Sequence, residues 1–117
     1  VWLLLLACVT STSDTRDTGS VDSQDPFCVD APVVRWTNFG QAFVLGNCQG
    51  CHASTSPNRY EAPEHITFDD VDQVWDQRLM VLGVAAPEDA TMPPSGGVHA
   101  DDRMRLRWWL ECAPEGT

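Results

Sequence analysis

Five consecutive residues, Cys48-Gln49-Gly50-Cys51-His52, constrain this chain more than anything else in it. Two thiols followed at once by an imidazole put three ligand-type side chains within about one turn of chain. Structural zinc sites use cysteine pairs of this kind, but they want a second ligand pair at suitable spacing. The other cysteines, Cys8, Cys28 and Cys112, stand alone, and the other histidines are His65 and His99. A dithiol redox site of the thioredoxin kind wants a buried strand before it, whereas Trp36 to Asn47 reads as a helix. The third chemistry gives the histidine a task at this place: covalent attachment of a c-type haem. One turn of chain lets both sulfurs reach the two vinyl groups on one edge of a porphyrin. His52 then offers a nitrogen to the iron.

Charge and size set the surroundings. The 117 residues carry 17 acids and 7 bases, a net charge of −10, and every base is an arginine. Nothing here neutralises phosphates in number, which excludes a nucleic-acid partner. A chain this short builds one domain with a small core that gains from covalent staples. Five cysteines in that length point to an oxidising compartment.

Taken in order, the chain opens on an apolar run that ends Leu5-Leu6-Ala7-Cys8. It reads as the end of a secretory signal and resembles a bacterial lipobox, with residues 1–8 leading to a lipidated Cys8. No stretch is long enough to span a membrane as a mature helix. Residues 9–27 are rich in Ser, Thr, Asp and Gly with little to bury, and are expected to form a flexible acidic tether. Residues 28–117 are expected to be the folded domain. Within it Trp36, Phe39, Gly40, Phe43, Val44 and Cys48 recur at helical spacing. Gly40 on that apolar face points to close approach of another helix.

A second helix is predicted to start at Thr67 followed by Asp70, with acids in its first turn. Its stripe is Val71, Val74, Trp75, Leu79 and Leu82, its acids face water, and Gly83 weakens or stops it. A third opens at Asp101 or Asp102. Met104, Leu106, Trp108, Trp109 and Leu110 form its apolar face, and Arg103, Arg105 and Arg107 the wet side. The fold class expected is therefore all-α, with three main helices.

A haem iron held by His52 alone leaves a sixth position. Met80 and Met104 read as helix packing, and His65 and His99 as surface residues. Met92 lies in a loop before Pro93-Pro94, a stiff segment that can hold a thioether at little ordering cost. His52/Met92 ligation closes the coordination shell and favours the ferrous state.

Cys48-x-x-Cys51-His52 after an aromatic, Gly-containing helix, then Thr91-Met92-Pro93-Pro94, then an aromatic C-terminal helix, resembles a class I monohaem cytochrome c. The resemblance spans roughly residues 31–114. It implies a small all-α fold around the haem, with first and last helices crossing at Gly40 and Trp108 or Trp109. It also implies a proline carbonyl, best matched by Pro63, accepting from the proximal histidine, and Arg59 meeting a haem propionate. Since the first and last helices meet in that family, Cys28 and Cys112 are expected to form a disulfide.

The activity implied is one-electron transfer between redox partner proteins, not enzymatic turnover. It would take place in the bacterial periplasm or at the outer membrane, with membrane attachment through Cys8. The family's lysines around the haem edge are missing here, so the docking faces of partners are expected to be basic. The competing readings are a haem sensor or peroxidase-like enzyme with an open sixth position, or an accessory haem subunit of a larger complex.

Overall fold

The computed structural model describes residues 25–117. The lipidation expected at Cys8, and all of the tether but its last three residues, lie outside the described residues. Asp25 starts the first helix, α1 (Pro26–Val29), where its carboxylate accepts from the Phe27 N–H at 2.9 Å. Pro26 suits the first turn, because no N–H is needed there.

The next body runs from Trp36 to His52. It opens as a π-helical turn, Trp36–Gly40, continues as α2 (Gln41–Asn47), bends at Cys48 and ends as α3 (Gln49–His52). Asn38 secures its entry, accepting from the Arg35 N–H at 2.7 Å and donating to the Val33 carbonyl at 2.8 Å.

The second body begins where Asp70 caps the Gln73 N–H at 3.0 Å, opening α4 (Val71–Asp76). It breaks at Gln77 and resumes as α5 (Arg78–Ala85). Leu79, expected in the core, is 75% exposed, and Val81 and Ala85 are buried instead. The expected stop at Gly83 does not occur either. The helix runs on to Ala85 and ends just before Pro87, which has no N–H to continue the ladder to the Gly83 carbonyl.

The third body is α6 (Ala100–Arg107), continued by a π-helical turn, Trp108–Cys112. Leu106, Trp109 and Leu110 on it are completely buried. The three expected helical bodies are all present, none of them as one uniform α-helix, and there is no strand among the described residues.

The first and last bodies meet at Gly40. A Cβ built there would stand 2.6 Å from Cη2 of Trp109. The Trp109 ring lies 5.8 Å from Trp36 and 6.4 Å from Trp75, edge-on to the latter. Its indole N–H donates to the Thr117 carbonyl at 2.6 Å. The last body is also joined covalently to α1, since Cys28 and Cys112 form a disulfide with Cα atoms 5.4 Å apart. Closing a loop over a separation of 84 residues contributes about 4.5 kcal/mol by chain entropy. Among the described residues no helix is long and apolar enough to cross a membrane.

Candidate cofactor site

The Cys48–His52 turn is built from backbone hydrogen bonds. The Cys48 N–H donates to Val44 O at 2.9 Å, and the Cys48 carbonyl accepts from Cys51 at 3.2 Å and His52 at 2.8 Å. One turn therefore carries both thiols and the imidazole, each partly buried. With Cys28 and Cys112 in the disulfide, Cys48 and Cys51 are the free cysteines of the described residues. Burial pushes the Cys48 thiol up to about 11, so it stays protonated at neutral pH.

The imidazole is oriented by the loop that follows. His52 Nδ1 stands 3.1 Å from the Ile66 carbonyl oxygen. Facing an acceptor, Nδ1 carries the proton, and the lone pair is left on Nε2. The carbonyl expected in this place was that of Pro63. It is Ile66's instead, because the chain turns between them: Ile66 N–H donates back to Pro63 O at 3.0 Å.

Arg59 sets that turn. Its guanidinium donates to the carbonyls of Ala53 at 2.7 Å, Pro63 at 2.7 Å and Ile66 at 2.9 Å. The arginine expected to reach a propionate thus spends both terminal nitrogens on backbone, and its Nε is buried without a partner. Nothing in the composition of the loop announces this, since every residue offers a carbonyl.

The far side of the loop is stitched to the same turn. Phe68 N–H donates to His52 O at 2.7 Å, Gln49 Nε2 donates to Phe68 O at 2.9 Å, and the Phe68 ring sits 5.4 Å from the imidazole. Asp69 accepts from the Ser54 N–H at 2.8 Å. Its carboxyl is held below the ordinary range by Ser54, through the backbone N–H first and then the hydroxyl, with Gln73 and the Arg59 charge adding to it. A carboxyl lowered on folding stabilises fully above its unfolded pKa, about 4, and that contribution disappears as pH falls through the lowered value. Asp69→Asn is therefore expected to flatten the acid limb of a plot of urea midpoint against pH below about 4. An acid limb identical to that of the parent would show that Asp69 contributes nothing of this kind.

Met92 lies between α5 and α6 with its backbone fixed at both ends. Its N–H donates to Val84 O at 2.9 Å, and its carbonyl accepts from Arg103 Nη1 at 3.2 Å. Arg103 Nη1 also donates to Ala85 O at 2.6 Å. Arg103 was expected on the wet side of its helix with Arg105 and Arg107, but it is only 8% exposed. Two backbone carbonyls draw it inward, and such acceptors leave no trace in a residue pattern. Met80 and Met104, read as packing, are exposed to nearly the same degree as Met92, at 37%, 38% and 36%. Exposure does not set Met92 apart; its place in a loop, outside the helices that hold Met80 and Met104, does. His65 and His99 are exposed, as expected of surface residues. In comparisons with known proteins, no family model, no curated protein and no solved structure matches this chain.

Proposed function

We propose that this chain binds a c-type haem covalently through Cys48 and Cys51, with His52 and Met92 as the axial ligands of its iron. On this reading it is a one-electron carrier that works outside the cytoplasm, attached to a membrane through Cys8. The observation that carries the reading is the Cys48–His52 turn itself: two free thiols and an imidazole whose Nδ1 faces a carbonyl, leaving Nε2 as the donor.

The donor set fits the group. Cys48 and Cys51 would hold the group, each thiol adding across one vinyl group, sulfur to one carbon and hydrogen to the other, with no oxidant needed. Haem supplies, when bound, the one-electron iron couple. The Ile66 carbonyl raises the basicity of the His52 ring and fixes its orientation. The Met92 thioether, a soft donor, favours the reduced state and keeps small ligands off the iron. The surface, at net charge −10 overall, steers the chain toward basic partner faces.

Visible absorption after expression with a haem maturation system tests this. A covalent c-type spectrum is expected, with a weak band at the red end that exists only in the oxidised form and vanishes in Met92→Ala. A high-spin spectrum, or carbon monoxide binding to the reduced native protein, would move the function to sensing or peroxidase-like chemistry. Protein that takes up no haem at all would reject the reading.

A further inference from the structure

We infer that Arg103 is a positioning residue for Met92: it closes the neck of the loop that carries the thioether and so governs whether the sixth iron position stays shut. The link to iron rests on the His52/Met92 ligation proposed above; the closure of the neck does not.

An arginine that is only 8% exposed is costly to keep. Among the described residues Arg103 forms no ion pair, whereas on the same helix Arg105 pairs with Asp102 and Arg107 with Glu111. What Arg103 holds instead is backbone. Its Nη1 bridges Ala85 O at 2.6 Å, the last residue of α5, and Met92 O at 3.2 Å. One position before Ala85, the Val84 carbonyl takes the Met92 N–H at 2.9 Å.

The two ends of the segment between Ala85 and Met92 are thus joined by one direct backbone bond and one guanidinium bridge. The bridge is anchored on α6, one turn before the fully buried Leu106. The Met92 backbone cannot leave its place without breaking both. Pro93 and Pro94 add no N–H groups that could take over. A lysine in place of Arg103 offers a point charge on a different stem, and so restores part of the bridge at best. A methionine fills the space and restores none of it.

Two readouts on Arg103→Met and Arg103→Lys, in the full chain, separate the neck from the iron. The first is hydrogen exchange of the Met92 amide. It should be at least about tenfold faster in Arg103→Met, with the amides of α2 unchanged and Arg103→Lys intermediate. Unchanged Met92 exchange overturns the proposal. The second is carbon monoxide binding to the reduced haem form. The parent should resist it, and Arg103→Met should bind readily at a temperature where its helical circular dichroism is intact. An Arg103→Met protein that resists carbon monoxide as well as the parent, and keeps its red band to the same temperature, overturns the link to ligation. A parent that itself binds carbon monoxide overturns Met92 ligation, and Met92 amide exchange then decides the neck alone. Should Arg103→Met not fold, Arg103→Lys carries both measurements.

Discussion

Cys48→Ser combined with Cys51→Ser will leave a colourless chain after denaturation, even when expressed with haem maturation machinery. Serine matches cysteine in shape, but its hydroxyl does not add to a vinyl group under conditions where a thiol does. The fold should survive the exchange. The turn is held by Cys48 N–H to Val44 O and by the two amides that donate to Cys48 O, all of them backbone groups. Each single serine variant should retain haem through one remaining thioether, in lower yield. His52→Ala should retain the thioethers and lose the low-spin spectrum. Denaturing gels stained for haem, read beside visible spectra, separate these cases. Covalent haem persisting in the double variant would break the assignment, and so would zinc bound by the parent in proportion to protein.

The second large effect is expected at the crossing of the first and last helices. Gly40→Ala should destabilise the domain by about 1–3 kcal/mol, because its methyl would meet three ring atoms of Trp109 at 2.6 to 2.8 Å. The ring has nowhere to go. It is completely buried, flanked by Trp36 and Trp75, and tied by its N–H to Thr117. Trp109→Ala should cost about 3–5 kcal/mol as a cavity. Combined, the two changes should cost less than their sum. With the ring gone the methyl has room, and alanine suits a helix better than glycine by about 1 kcal/mol. Urea unfolding of the four proteins measures the coupling. Strict additivity would mean that Gly40 and Trp109 do not press on one another.

Features that depend on neighbouring side-chain chemistry could be read from the residues directly. The Asp70 cap is local, since one carboxylate finds an amide three residues on. The Gly40 crossing was legible because a glycine on an apolar helical face has few other reasons to be there. Whether Trp108 or Trp109 met it was not legible, as both lie on the same wide face.

Features decided by backbone acceptors were hidden. Ile66 replaces Pro63 at His52 because Arg59 draws three carbonyls together. Arg103 turns inward for two more. Leu79 ended outside because the core takes the line Val74, Val81 and Ala85, spaced seven and four residues apart, and Leu79 falls to one side of that line.

The Cys28–Cys112 bond also changes what the domain is as a covalent object. It is a ring rather than a line, and the ring contains both the Cys48–His52 turn and Met92. A protease that cuts once anywhere between His52 and Met92 opens the ring without releasing either residue from the other's molecule. Such a nick leaves the mass of the domain altered by a single water, and two fragments appear only after reduction. In an oxidising and protease-rich compartment, a lesion that would sever a linear chain between its two proposed iron ligands leaves them on one body.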